Sequence, residues 1–209
     1  MSKRIFDLLG SSFGLLVLSP LLLVLAIWVK LDSSGPIFFR QERVGQGGST
    51  FRIHKFRTMV TDAKKKGLQI TVGADARVTR VGHWPRKYKL DELPQLLDVW
   101  FGDMSLVGPR PLLVQYLQRY SKEQTRRHEV KPGITGWAQV NGRNAISWEE
   151  KLRLDVEYVE NQSLILDLKI LWLTAVNVLH RKNINAGNHV TMQEFKGSTL
   201  LNTQTSTLD

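Results

Sequence analysis

The chain has 209 residues, room for one globular domain or for a domain with an attachment, and its apolar share is ordinary for a protein with a folded core. Lys and Arg number 29 against 19 Asp and Glu, and the formal charge of +10 calls for an anionic partner: nucleic acid, anionic lipid and phosphorylated metabolites all qualify. The absence of cysteine excludes disulfides and thiolate metal sites, and the five histidines (54, 83, 128, 180, 189) show no zinc-type spacing.

The first element is an uncharged run, "LLGSSFGLLVLSPLLLVLAIWV" (8–29). As one helix it would extend about 33 Å, against a bilayer core of about 30 Å. A signal peptide fits the basic start at Lys3 and Arg4, but no small-residue cleavage site follows. A simple spanning helix fits the length. Two details favour a third arrangement. Ser19-Pro20 falls in the middle of the run, where proline removes a backbone hydrogen bond and clashes with the preceding turn, at about 3 kcal/mol. In lipid the freed carbonyl needs a partner, and the Ser19 hydroxyl is the candidate. Both flanks are also basic (Lys3 and Arg4 before; Lys30, Arg40 and Arg43 after), which keeps both ends cytoplasmic. The expectation is a kinked, re-entrant helix over residues 1–30, broken at Ser19 and Pro20, each half reaching roughly 16 Å into one leaflet.

Next, "PIFFRQERVGQGGSTFRIHKFRT" (36–58) reads as a β-hairpin, with Gly45, Gly47 and Gly48 suited to its turn better than to a phosphate cradle. "TDAKKKGLQI" (61–70) reads as a charged surface loop, and helices are predicted over about 91–100 and 112–128. "KPGITGWAQVNGRN" (131–144) is dense in turn signals, and Ser147 with Glu150 forms a capping box opening a helix to about Glu160. In "SLILDLKILWLTAVNVLHR" (163–181), Asp167, Thr174, Asn177 and Arg181 share one helical stripe opposite a wide apolar face. That pattern fits a core helix or one lying on a membrane surface. Residues 31–196 would form the catalytic domain and 197–209 a polar tail. The fold class is α+β and mostly helical: a kinked N-terminal membrane helix, a hairpin, and amphipathic interfacial helices around a small core.

In "KYKLDELPQLLDVWFGDMSLVGPRP" (87–111) an adjacent carboxylate pair, Asp91 and Glu92, stands in a basic neighbourhood. The plain reading is a helix start, with Asp91 as N-cap and Pro94 in the first turn. Neighbouring helix residues do not face each other, so the two carboxylates do not flank one substrate; they suit two jobs, such as attack on phosphorus and holding or tuning a metal. A carboxylate approaching a diphosphate meets about 4 kcal/mol of repulsion per charge pair at 4 Å and effective dielectric 20. Cations must compensate. Arg110, pinned between Pro109 and Pro111, is the best placed by sequence; Arg143 in a Gly/Asn loop, and Lys55 with Arg57 in the hairpin, are further phosphate contacts to consider, each also readable as an ordinary surface charge. Mg²⁺, with oxygen ligands, is the usual extra cation for a diphosphate. Trp137 and Trp148 suit uracil stacking, though a buried or interfacial Trp is the commoner case.

Together, "KRIFD", "KFRTM" (55–59), "LDELPQL" (90–96), "GDMSLVGPRP" (102–111), "KPGITGWAQVNGRNAISWEEK" (131–151) and "DLKILWLT" make the chain resemble the monotopic phosphoglycosyl transferases, bacterial sugar transferases that start glycan assembly on a polyprenyl phosphate. The resemblance spans nearly the whole chain and implies the following. Asp91 is the nucleophile of an Asp-Glu dyad that attacks the sugar-side phosphorus of a UDP-sugar, releasing UMP; polyprenyl phosphate then takes the phosphosugar. Mg²⁺ is the cofactor, held at Asp91 and Glu92, and Arg110 and Arg143 bind phosphate. The protein sits on the cytoplasmic face of the bacterial inner membrane, its partners a UDP-sugar, polyprenyl phosphate and membrane lipid, with no nucleic acid and with self-association left open. "GNHVTMQEFKG" (187–197) is most like members that use N-acetylated sugars. The residues alone do not choose Asp91 over Glu92. The rival readings are a non-catalytic basic adaptor binding anionic lipid, and a nucleic-acid binder, against which the apolar N-terminus and the lack of a nucleic-acid module speak.

Overall fold

The computed structural model describes residues 2–61, 75–142, 145–180 and 194–197. Residues 1–41 with 52–106 form one compact unit, and residues 42–51 with 107–209 a second. The charged stretch 62–70, Arg143, Arg181 and the tail from 198 lie outside the described residues.

The first unit opens with α1 (Ser2–Asp32), helical throughout with Pro20 inside it. Pro20 has no N–H for the Leu16 carbonyl, and the Ser19 hydroxyl donates to that oxygen at 2.7 Å, the compensation the sequence suggests. The helix is long and apolar enough to cross a membrane. Its protein-facing side is polar over the first half. Asp7 and Ser11 are buried; Asp7 accepts from Ser105 Oγ at 3.0 Å and from the Leu106 N–H at 2.9 Å. Toward the other end Leu25 and Val29 join Phe56 in an apolar cluster bordered by Ile37 and Leu90. The remaining side chains point away from the unit, with Leu9, Phe13, Leu16 and Leu31 each more than two-thirds exposed.

The hairpin pairs β1 (Phe38–Val44) with β2 (Thr50–Phe56). Its turn is closed by the Gly45 N–H to the Ser49 carbonyl at 2.6 Å, and Gly47 and Gly48 take left-handed φ values of 65° and 79°. Then α2 (His83–Lys87) leads to a single 3₁₀ turn, Leu90–Glu92, and to α3 (Gln95–Phe101). The start of this region differs from the expected N-cap at Asp91. Lacking an N–H, Pro94 cannot serve the Leu90 carbonyl; the Leu93 N–H takes it at 3.3 Å, which winds a 3₁₀ turn, and α3 begins only after Pro94. Gly102, at φ 99°, ends α3 in the left-handed conformation, and the Arg4 guanidinium donates to the carbonyls of Val99 and Trp100 at 2.6 and 2.8 Å.

Val107 closes β3 (Ser105–Val107) and begins the second unit, where β4 (Gly133–Thr135) is the partner strand. Here "GPRP" and "PGITG" lie backbone to backbone. The Gly108 N–H donates to Thr135 O and the Gly133 N–H to Pro109 O, each at 2.9 Å, and a Cβ on Gly108 or Gly133 would collide with the opposite chain. The expected helix over 112–128 is not continuous. Val114–Arg119 forms a 3₁₀ segment, Tyr120 and Ser121 are extended, and Ser121 caps the short α4 (Lys122–Thr125) in a reciprocal box with Gln124, followed by a 3₁₀ turn at Arg126–His128. After α5 (Trp137–Val140), α6 (Trp148–Glu160) starts at the predicted cap, Ser147 Oγ accepting the Glu150 N–H at 3.1 Å. Leu112, Leu113, Tyr116, Leu152 and Phe195 form the core, with Tyr120 and Trp148 against it.

In α7 (Leu164–His180) the polar stripe faces the protein. Asp167, fully buried, accepts from the Tyr158 hydroxyl at 2.7 Å; Thr174 meets Thr135 at 2.7 Å; Asn177 donates to Val140 O at 3.3 Å. Ile165 and Leu179 are more than four-fifths exposed and Trp172 about two-thirds. A helix that turns polar groups inward and large apolar groups outward inverts the pattern of an amphipathic helix on a water-exposed surface.

Candidate active site

The acidic pair is presented at the 3₁₀ turn of the first unit. Lys89, immediately before it, holds φ 60° and ψ 20°, a left-handed conformation unusual for a residue with a side chain. Leu90 anchors the turn against the α1–hairpin cluster. Glu92 accepts from Lys55 Nζ at 2.7 Å, which places Lys55 beside the dyad. Asp91 differs: its Oδ1 is buried without a hydrogen-bond partner among the described residues. Removal from water pushes the Asp91 carboxyl above its usual range, the Glu92 charge pushes the same way, and Lys55, Lys89 and Arg86 oppose. A buried carboxylate oxygen without a hydrogen bond is costly to a fold and is the kind of group retained for chemistry.

Arg86 and Lys89 are additions to the expected set. Both were visible as basic residues upstream, but only the turn at Lys89 shows that their fields act on Asp91. Arg57 departs from its expected place beside Lys55. The strand alternation that would put them on one face ends with β2 at Phe56. The Arg57 guanidinium instead donates to the carbonyls of Ser33, Ser34 and Val29, at 2.5, 2.9 and 3.3 Å, and to Ser33 Oγ at 3.0 Å, closing the C-terminal end of α1. A third feature left no sequence signal. His54 on β2 binds Asp98 on α3 through both backbone and ring: N–H to Oδ2 at 2.9 Å and Nδ1 to Oδ1 at 2.5 Å, with the Arg40 guanidinium at its Nε2. Because Arg40 only donates, Nε2 must accept and Nδ1 carries the proton toward Asp98. This pair ties the strand bearing Lys55 to the helix that follows the dyad.

In the second unit Arg110 has its backbone fixed from two sides: Gly133 N–H on Pro109 O, and Arg127 Nη2 donating to Arg110 O at 2.8 Å. Trp148 packs between Tyr116, Phe195 and Lys151, and Trp137 donates from Nε1 to Glu157 Oε1 at 2.9 Å, so both indoles have structural roles. Among the described residues no group of three or more His, Asp or Glu converges as a metal cage.

The sequence of this site matches known proteins. The family model for bacterial sugar transferases matches residues 1–181. The chain is 53% identical over 94% of its length, and 96% of the relative's, to an uncharacterised sugar transferase, EpsL, of Bacillus subtilis. It is 43% identical to the undecaprenyl-phosphate glucose phosphotransferase of Komagataeibacter xylinus, over 88% of this chain and 37% of that one. It is 42% identical to the UDP-N-acetylgalactosamine-undecaprenyl-phosphate N-acetylgalactosaminephosphotransferase of Aeromonas hydrophila, over 85% and 43%. The chain thus spans about two fifths of the relatives whose names state a substrate. It belongs to the bacterial sugar transferase family and is a phosphoglycosyl transferase.

Proposed function

We propose that the protein transfers a sugar-1-phosphate from a UDP-sugar to polyprenyl phosphate through a covalent aspartyl intermediate. The observation that carries the reading is Asp91, whose buried Oδ1 has no hydrogen-bond partner among the described residues while its neighbour Glu92 is held by Lys55. In the first step the Asp91 carboxylate attacks the sugar-side phosphorus, the phosphorus–oxygen bond to the other phosphate breaks, and UMP leaves with the bonding electron pair. In the second, a phosphate oxygen of the lipid attacks the same phosphorus and the aspartyl carboxylate departs, giving polyprenyl-diphospho-sugar. Lys55, paired with Glu92, offsets part of that carboxylate's repulsion of the incoming diphosphate, and Lys55, Lys89 and Arg86 favour the ionised, nucleophilic form of Asp91. Arg110 and Arg143 are assigned to phosphate by the family motif.

The dyad fits a magnesium ion that arrives with the diphosphate. Such an ion takes one or two carboxylates and completes its shell with phosphate oxygens and water, and Asp91 offers an unshared oxygen while no larger acidic cage exists among the described residues. When bound it would neutralise charge on the transferring phosphoryl group.

The inverted helices α1 and α7 support a membrane-bound protein, in keeping with the lipid substrates in the relatives' names. On this reading α1 is re-entrant, bending at Ser19-Pro20, and the protein works at the cytoplasmic face of the inner membrane. The relatives' donors include both glucose and N-acetylgalactosamine, and the proposal for this chain is an N-acetylated sugar. Purified protein with Mg²⁺, undecaprenyl phosphate and a panel of UDP-sugars should release UMP. No UMP from any donor would end the proposal; UMP from UDP-glucose alone would retain the chemistry and reject the N-acetylated donor.

A further inference from the structure

Gln95 opens α3 directly after the dyad and is 1% exposed, one of the largest side chains enclosed by the fold. Its amide Nε2 is buried with no hydrogen-bond partner among the described residues, and the same holds for Asp91 Oδ1. A donor and an acceptor are thus left unserved four residues apart, and each is the partner that the other lacks. Burying either one alone forfeits its hydration with nothing in return, so native folds rarely keep one, let alone a matched pair.

Two observations put them on the same side of the chain. Between them, Leu93 (φ −56°, ψ −35°) and Pro94 (φ −59°, ψ −13°) are right-handed, so the coil of the 3₁₀ turn runs on into α3 and brings Gln95 round one turn after the pair. The carboxylates on either side of Gln95 both bind β2: Glu92 accepts from Lys55 Nζ at 2.7 Å, and Asp98 Oδ2 accepts from the His54 N–H at 2.9 Å. Gln95 stands three residues from each, on the face that β2 covers. Its side chain has three rotatable torsions with which to close the remaining gap, and catalytic hydrogen bonds commonly tighten only in the reacting complex.

We propose that Gln95 is a positioning residue whose Nε2 donates to Asp91 Oδ1 during turnover, fixing the carboxylate so that Oδ2 faces the sugar-side phosphorus. This rests on the covalent reading above and adds a neutral donor to it. A carboxylate offers about four lone-pair directions, so one amide hydrogen on Oδ1 leaves Oδ2 free to attack and leaves sites for a magnesium ion. In the first step Oδ2 bonds to phosphorus as UMP leaves with the electron pair of the broken phosphorus–oxygen bond. Oδ1 is then the carbonyl oxygen of the aspartyl phosphosugar. In the second step the lipid phosphate oxygen bonds to phosphorus, and the carboxylate departs with the electron pair of the Oδ2–phosphorus bond. The charge returning to the carboxylate is shared with Oδ1, where the Gln95 N–H meets it. One hydrogen bond thus orients the nucleophile in the first step and stabilises the leaving group in the second.

The test uses the full chain in lipid nanodiscs with Gln95→Met, which keeps the length of the side chain and removes the donor. Single-turnover quenching should show formation and discharge of the Asp91 adduct each slowed about tenfold to a hundredfold, with KM for the UDP-sugar changed by no more than about twofold. Tm should not fall, because an unpaired buried donor has been removed. Isotope-edited infrared spectra give a readout that a purely structural role would not move. The acyl carbonyl of the aspartyl phosphosugar, accepting from Gln95, should absorb at lower frequency in the unaltered protein than in Gln95→Met. A carbonyl band at the same frequency in both, or an adduct formed and discharged at the unaltered rates, overturns the proposal. If Gln95→Met does not fold, Gln95→Asn, whose amide falls one methylene short, takes its place under the same two criteria. An unaltered protein with no adduct at Asp91 rejects the covalent reading and this inference with it, whereas an adduct indifferent to Gln95 rejects this inference alone.

Discussion

Lys55 Nζ lies 2.7 Å from Glu92 Oε1, so a strand of the hairpin neutralises one carboxylate of the dyad and leaves the Oδ1 of the other, Asp91, without a hydrogen bond among the described residues. The two acids are neighbours in sequence but not in circumstance, which is how one fold gives adjacent carboxylates different tasks.

The pH dependence of turnover follows. Burial and Glu92 raise the Asp91 carboxyl, and Lys55 opposes them more strongly than Lys89 or Arg86. The acid limb of kcat/KM should therefore fall at a pH above the ordinary aspartate range, because attack requires the ionised form. Lys55→Met should move that limb further up and lower the plateau. A pH–rate series on both proteins checks it; an unmoved limb would detach Lys55 from Asp91.

Stability should move the opposite way at Asp91. A carboxyl with a raised folded-state pKa binds its proton more firmly folded than unfolded. Its contribution to stability is therefore lost as pH rises from the ordinary aspartate value through the raised one. Asp91→Asn should then raise Tm near neutral pH while abolishing UMP release. Thermal unfolding of both forms at pH 4 and pH 7.5 should show the gap only at the higher pH.

Arg57 is a clamp on α1. Its guanidinium bonds three carbonyls and a hydroxyl at the helix end and is 5% exposed. Arg57→Lys cannot reproduce the fork and should cost about 3 kcal/mol in denaturant unfolding. A substrate role would instead show as a higher KM at unchanged stability.

Lys89 stores backbone strain beside the dyad. Lys89→Gly should stabilise the protein by about 1 kcal/mol, since glycine tolerates φ 60°, and should slow turnover by removing a cation that acts on Asp91. A variant both less stable and fully active would contradict the assignment.

The outward face of α7 should carry membrane affinity. Ile165 and Leu179 are 82% and 81% exposed, so replacing both with Gln should leave Tm nearly unchanged. Each lost insertion removes about 1.5–3 kcal/mol, so binding to lipid vesicles should weaken more than tenfold. Equal vesicle binding would make this an ordinary protein surface.

Much of this was legible in the sequence where a local rule governs. The Ser19 hydroxyl takes the carbonyl that Pro20 orphans, and Ser147 caps α6, because both are contacts within four residues along the chain. The polar stripe of α7 was visible as a period, but not whether it faced protein or solvent; only the contacts of Asp167, Thr174 and Asn177 decide that. The break at Tyr120–Ser121 interrupts the helix predicted over 112–128, where Ser121 and Gln124 form a capping box that starts a new helix. Arg57, His54 with Asp98, and Arg127 with Asp155 were illegible in principle, since each depends on a partner more than twenty residues away.

The most direct test of the central claim is rapid quenching of the protein with UDP-sugar and Mg²⁺, without lipid acceptor, followed by peptide mass spectrometry. The account predicts one phosphosugar on the peptide that contains Asp91, discharged on adding polyprenyl phosphate and missing in Asp91→Asn. A phosphosugar on another residue, or steady UMP release with no adduct at any time, would contradict it.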